Sequence, residues 1–131
     1  MRLAKQFVVQ LKNEPGAMAT LAEAIAARGV DLRAIGGGSM GDSGHVIMTT
    51  ADDDATKAVL DENGYNYLEG ESILAEVDDR PGGMARLARS LADAGVNIYG
   101  HLFLGRWGDR ATFAFVVDKP DIARPILERK D

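Results

Sequence analysis

The chain repeats itself, and the repeat leaves few choices of fold. A shift of 66 residues lays EPGAMATLAEAIAARGVDL on RPGGMARLARSLADAGVNI without a gap. Nine of the sixteen positions from Pro15 to Val30 match their partners, where average residue usage gives about one by chance. The same register carries Leu32 onto Ile98, Val46 onto Thr112 and Asp52 onto Asp118. Two copies of one small unit, 1–71 and 72–131, account for nearly all of the 131 residues. Nothing is left over for a separate catalytic domain, so the pattern points first to binding. A unit of about 65 residues buries only about 60% of its unfolded surface, so each copy is expected to lean on its neighbour.

Each copy reads as strand, helix, strand, strand, helix, with a further strand in the first. Phe7, Val9 and Leu11 alternate with Gln10 and Lys12, and Ile73, Ala75 and Val77 take the matching places. A Pro-Gly pair follows each strand, and its proline is expected in the first turn of a helix. Met18, Leu21, Ala22 and Ile25 recur at helical spacing, as do Met84, Leu87, Ala88 and Leu91. Gly29 and Gly95 are placed to end those helices, and Gly64 a later one.

The glycine-rich stretches 36–44 and 105–110 read as hairpin loops, before strands at about 46–50 and 111–117. Asp52-Asp53-Asp54 and Asp118-Lys119-Pro120 then open second helices, where carboxylates suit the dipole. The order βαββαβ is an α+β, ferredoxin-like arrangement, a sheet with both helices on one face. The second copy ends where the first still has NYLEGE to come, so it is expected to lack its last strand within this sequence and to expose a sheet edge. In the second copy Phe113, Phe115 and Val117 oppose Ala114 and Val116, and Ile98, Leu102 and Leu104 oppose Tyr99 and Phe103. Apolar residues on both faces suggest that another surface covers the second one.

The segments KNEPGAMATLAEAIAARGVDLRAI and DDRPGGMARLARSLADAGVNIYGH resemble the opening strand, loop, helix and strand of the ACT domain, twice in register. The resemblance covers roughly residues 3–130 and is strongest at 13–35 and 79–101. It implies a pair of ferredoxin-like regulatory domains that bind a small molecule, most often an amino acid, at interfaces between two such domains. It implies no catalysis, no cofactor and a homodimer, and it admits a role as the regulatory subunit of an amino-acid biosynthetic enzyme.

In serine-binding ACT domains of phosphoglycerate dehydrogenase, one Asn precedes Pro-Gly by two residues and another lies in the G-V-N-I turn. Those positions hold Asn13 and Asp31 in the first copy and Asp79 and Asn97 in the second, with Leu32 and Ile98 next to the turn residues. The family's His, two residues before the first Asn, is replaced by Leu11 and Val77, a departure that bears on serine rather than on the mode of binding. ACT pairs build their sites crosswise, which would set Asn13 with Asn97, a neutral pair, and Asp79 with Asp31, an acidic one. Physical chemistry runs alongside: free amides at Gly16, Ala17 and Met18, or Gly82, Gly83 and Met84, would suit a ligand carboxylate at a helix start. From the residues alone, Asn13 and Asp79 serve equally well as turn residues that hydrogen-bond the local backbone.

Other classes recede. A net charge of −5 and a pI near 5.0 argue against nucleic acid or an anionic membrane as the main partner. No cysteine is present, so disulfides and thiolate metal sites are excluded. The N-terminus carries no apolar run of signal-peptide length, which makes the cytoplasm the expected location. Gly36-Gly37-Gly38 is not followed by Lys-Ser/Thr or a helix, and reads as a flexible loop rather than a phosphate cradle. His45 and His101 have no second ligand at metal spacing. An acylphosphatase-like enzyme on the same fold would need an Arg-bearing phosphate loop, and only Arg80, without a glycine-rich surround, stands near that place.

Overall fold

The computed structural model describes residues 4–129, and the chain divides into two compact units, Met1–Gly70 and Glu71–Asp131. The first unit runs β1 (Lys5–Lys12), α1 (Ala17–Ala27), β2 (Leu32–Met40), β3 (Ser43–Thr50), α2 (Asp53–Glu62) and β4 (Tyr67–Glu71). Its sheet has the order β2-β3-β1-β4, so β1 is central and carries the apolar alternation. Phe7, Val9, Val46 and Met48 meet Leu21 and Ile25 of α1 and Val59 and Leu60 of α2 in one buried core. Tyr67 of β4 leans on that core, its ring centroid 6.1 Å from that of Phe7.

The second unit runs β5 (Ile73–Asp78), α3 (Gly83–Asp93), β6 (Ile98–Trp107), β7 (Arg110–Val117) and α4 (Pro120–Leu127). Its sheet has the order β5-β7-β6. Ile73, Ala75, Phe115 and Val117 pack with Leu91 of α3 and Ala123 and Leu127 of α4. Both units are ferredoxin-like α+β units, the second with three strands among the described residues. No helix among these residues is long and apolar enough to cross a membrane.

The helix ends follow the sequence. At the end of α1, Gly29 N–H donates to Ala26 O (2.9 Å) and Val30 N–H to Ile25 O (3.3 Å). After α3, Gly95 N–H donates to Ala92 O (3.0 Å) and Val96 N–H to Leu91 O (2.9 Å). This is the Schellman pattern, and it closes with burial of the apolar pair Ile25 and Val30, or Leu91 and Val96. At the start of α2 the Asp52 carboxylate accepts from Ala55 N–H at 3.0 Å, a side-chain cap. α4 is capped differently: Lys119 stands at its N-cap and Pro120 begins the helix.

Two expectations are corrected. The loops 36–44 and 105–110 shrink to the two-residue tips Gly41-Asp42 and Gly108-Asp109, because the glycine run extends β2 to Met40 and β6 continues to Trp107. Glycine marks close backbone approach here rather than a loop: a Cβ on Gly37 would stand 2.1 Å from the carbonyl oxygen of His45 across the ladder.

The constant shift of 66 also fails part-way along β2, after Gly37. Val46 pairs with Val9 and Gly37, whereas Phe113 pairs with Ala75 and Phe103, so Val46 corresponds to Phe113 and not to Thr112. The register of β6 slips between Phe103 and Gly105, and Leu104 is the added residue. From there on the offset is 67; Asp52 corresponds to Lys119, and Asp118 instead accepts from Asn97 N–H with its carboxylate (2.8 Å). A second slip between Ile98 and Gly100 has a similar effect. His101 and Phe103 share the face of Phe115 and Phe113, while Leu102 opposes Ala114, which regroups the β6 side chains expected from simple alternation.

Candidate functional site

The two Pro-Gly pairs build the same turn. Ala17 N–H donates to Glu14 O (3.3 Å), with Gly16 at φ 87°, ψ −10°. Gly83 N–H donates to Arg80 O (3.1 Å), with Gly82 at φ 89°, ψ −9°. Proline second and glycine third, with positive φ, define a type II turn. The prolines thus precede the helices instead of opening them, and the amides of Ala17 and Gly83 are engaged in the turn rather than free. No backbone acceptor meets the amides of Met18 and Ala19, or of Met84 and Ala85, among the described residues.

The hairpin tip clamps each turn. Asn13 N–H donates to Asp42 O (3.1 Å), and its Nδ2 donates to Gly41 O (2.9 Å). Asp79 N–H donates to Asp109 O (2.8 Å), and its carboxylate accepts from Arg106 Nε (2.7 Å). Both residues therefore perform the local structural task. Asn13 nonetheless remains exposed, and its Oδ1 meets no donor among the described residues.

Two clefts flank the first loop. One of about 340 Å³ is lined by Asn13, Ala17 and Met18 with Gly36, Gly37, Gly38 and His45. The other, about 690 Å³ and more open, is lined by Lys12, Gly16, Ala17 and Thr20 with Tyr65 and Asn66. Asp31 and Leu32 line neither. They follow α1, whose eleven residues span about 16 Å from the turn. The Asp31 carboxylate accepts from Arg33 Nε at 3.2 Å. Asn97 and Ile98 likewise lie past the C-terminal end of α3, where Asn97 N–H donates to the Asp118 carboxylate and Asn97 O accepts from Asp118 N–H. Within neither unit does the fold bring the residue before Pro-Gly to the residue after the helix.

The glycine run and His45 are the lining groups that sequence reasoning set aside. Their signal lay in the repeat itself: GGGS of the first copy stands where the second has LFLG. By strand pairing Gly37 corresponds to Phe103. The Phe103 ring packs 5.5 Å from Phe113, and the Arg106 guanidinium lies 4.8 Å above it while holding Asp79. The surface that is an open cleft in the first unit is thus occupied by an aromatic–cation stack in the second. Gly82 and Met84 remain exposed beside their turn, whereas Gly83 is buried, a Cβ there falling 2.2 Å from Asp78 O. No cluster of three metal-ligating side chains occurs among the described residues.

No protein-family profile matches the sequence, and no curated protein matches it. Solved structures do. Protein BT0572 from Bacteroides thetaiotaomicron superposes with a TM-score of 0.72 at 20% identity, over 97% of this chain and 88% of that one. The regulatory subunit of aspartate kinase from Thermus thermophilus gives 0.59 at 19% identity, over 97% and 92%. Aspartate kinase from Synechocystis gives 0.61 at 20% identity, with 97% of this chain covering 25% of the kinase. The likeness is one of fold. It spans both units and nearly the full length of the separate regulatory subunit.

Proposed function

We propose that this chain is a non-catalytic regulatory protein, a tandem pair of ACT-type units, that binds an amino acid in the cleft of its first unit. The observation that carries the reading is the 340 Å³ cleft between the α1 turn and the glycine run of β2. Its size falls at the lower end of ligand pockets, about 300–1,000 Å³. The Met18 amide, which meets no backbone acceptor among the described residues, and the α1 dipole suit a carboxylate. Asn13 Oδ1 is an acceptor for an ammonium, and His45 stands on the opposite wall. Ala17 lines this cleft as well, and Gly16 the larger one beside it. The corresponding residues Asp79, Gly82, Gly83 and Met84 form a site already satisfied by Arg106, and contribute less. Asp31, Leu32, Asn97 and Ile98 enter only through the crosswise construction that the resemblance implies.

The fold likeness to the aspartate kinase regulatory subunit supports a second level of the reading, in which ligand occupancy is relayed to an amino-acid biosynthetic enzyme as partner. A homodimer without a cofactor is what the sequence resemblance implies.

A thermal-shift and calorimetric screen of the twenty amino acids tests the ligand. A true ligand adds about 2.7 kcal/mol at a hundredfold excess over its dissociation constant. Gly38→Leu should abolish binding without lowering the melting temperature of the free protein, since a Cβ at Gly38 meets nothing within 4 Å. Asn97→Ala addresses the crosswise assignment. A flat response to all twenty refutes the amino-acid reading, and retained binding in Gly38→Leu refutes this cleft.

A further inference from the structure

The end of β5 carries a concentration of arginine that a net charge of −5 does not suggest. A cleft of about 220 Å³ there is lined by Glu76 and Asp78 of β5, Gly83 and Arg86 of α3, Arg110 of β7 and Arg129 after α4. It is the counterpart of the larger cleft of the first unit. That cleft adjoins β1, a strand paired on both edges, so the feature belongs to the fold of the unit and not to an open edge. Three guanidinium groups converge on one carboxylate. Arg110 Nη1 lies 2.5 Å from Asp78 Oδ1, and Arg80 Nη2 and Arg86 Nη2 lie 3.3 and 4.0 Å from its Oδ2. Arg110 Nε also stands 3.7 Å from the Glu76 carboxylate. Arg110 and Arg80 thus neutralise Asp78, while the Arg86 side chain makes no hydrogen bond among the described residues.

The repeat shows that the fold does not need these arginines. Ser43 pairs with Lys12 as Arg110 pairs with Asp78, and the shift of 66 sets Glu14 against Arg80 and Thr20 against Arg86. The first unit builds the same turn and helix with a glutamate, a threonine and a serine at those places. Arg86 also stands against the local field. It lies near the start of α3, whose first turn carries no acid. A Cβ on Gly82 would fall 2.9 Å from Arg86 Nη1, so the guanidinium folds back over the positive end of the helix dipole. A cation held there without an acceptor of its own breaks a local rule, and such departures gather at functional sites.

We propose that this cleft binds a phosphate group, free or as a monoester, with the Arg86 guanidinium as its principal contact. A dianion supplies the acceptor that Arg86 lacks and offsets the converging guanidinium charge together with the dipole of α3. The planar fork of arginine matches phosphate oxygens in pairs. Arg129 adds a further cation from the end of α4. The volume lies below the range of drug-sized pockets, about 300–1,000 Å³, and so suits a small anion or the phosphate end of a larger molecule. An amino acid is the wrong occupant: its ammonium would face guanidinium groups, and both acids of the cleft are already ion-paired. The inference therefore stands apart from the ligand reading of the first unit and survives its failure.

Titration of the full chain with inorganic phosphate and with phenyl phosphate tests the proposal, by calorimetry and by nitrogen–proton spectra. Ionic strength is held constant, at a mildly alkaline pH where phosphate is dianionic. Both probes should bind saturably and shift the Met84 and Ala85 amides and the Arg86 Nε–H, and chloride should not. Phenyl phosphate binding more tightly assigns an ester, and equal affinities assign the free anion; either result supports the site. Arg86→Thr installs the residue that α1 carries at the same place, so it should fold, and it should weaken binding about tenfold or more. Arg86→Lys keeps the charge without the fork and should weaken binding less. Arg89→Ala, one turn further along and 4.0 Å from Asp93, should leave it unchanged. Absence of saturation by either probe overturns the proposal. So does a folded Arg86→Thr that binds as the wild type does, or a set of shifts confined to the first unit.

Discussion

Replacing Gly37 and Gly38 one at a time by alanine separates the structure from the loop suggested by composition. In a flexible loop both changes would be tolerated. In β2 they differ sharply. A Cβ on Gly37 falls 2.1 Å from the His45 carbonyl oxygen and 3.1 Å from Val46 Cα. An ordinary C···O approach is about 3.3 Å, so β2 and β3 must part by roughly 1 Å at the Gly37–Val46 pair. Overpacking of this kind costs about 1–3 kcal/mol, and a weakened ladder bond adds about 0.5–1.5. Gly37→Ala should therefore lose about 2–4 kcal/mol. Gly38→Ala meets nothing within 4 Å and removes a flexible residue from a strand, so it should be neutral or gain up to about 1 kcal/mol. Urea unfolding reads both as midpoint shifts, provided the slopes agree. Equal midpoints for the two variants, or an undisturbed Gly37→Ala, would refute the close approach of the strands.

Two further outcomes follow from named contacts. Asp52→Ala removes the acceptor for Ala55 N–H and should cost about 1 kcal/mol by the same unfolding assay, whereas Lys119→Ala at the corresponding place in α4 removes no side-chain cap. The Tyr67 hydroxyl donates to the Asp61 carboxylate at 2.6 Å, and that bond, with burial and the nearby charges of Asp61 and Glu69, pushes its pKa from 10.0 to about 12. A raised pKa means that the folded chain holds the proton more tightly. The stabilisation is complete below pH 10 and is lost as pH rises towards 12. Absorbance titration of the tyrosines should show a late step that Tyr67→Phe removes; an unchanged curve would refute the hydrogen bond.

What could be read in the sequence was what a repeat and a period encode. The alternation of Phe7, Val9 and Leu11 and the helical spacing of Met18, Leu21 and Ile25 placed β1 and α1. Gly29 and Gly95 marked helix ends correctly because a left-handed residue after a helix has few alternatives to glycine. The same residue type misled in β2, since glycine near a hairpin reads equally as a mobile loop or as a close strand approach, and only the His45 carbonyl decides between them. Pro-Gly misled differently: proline suits the first turn of a helix and the second place of a type II turn alike, and the hydrogen bond from Ala17 to Glu14 is non-local information. The cleft was not legible for a similar reason, as its two walls lie some twenty residues apart and meet only through the β1–β3–β2 ladder.

The single added residue, Leu104, has consequences well beyond its own position. An alignment at constant offset sees two equal copies. The bulge shifts everything after it by one, which turns Phe103 towards Phe113 and leaves Arg106 able to lie over Phe103 and grip Asp79. In the first unit no such residue intervenes; Gly37 takes the place of Phe103, and the same surface stays open beside an asparagine rather than an acid. One duplicated turn thus carries two different environments. An anionic group brought to these turns would meet backbone amides without a backbone acceptor and a neutral Asn13 in the first, but a carboxylate already neutralised by an arginine in the second. The divergence runs in one direction, towards an open and uncharged first loop, and that direction is what a chain with one working small-molecule site would be expected to preserve.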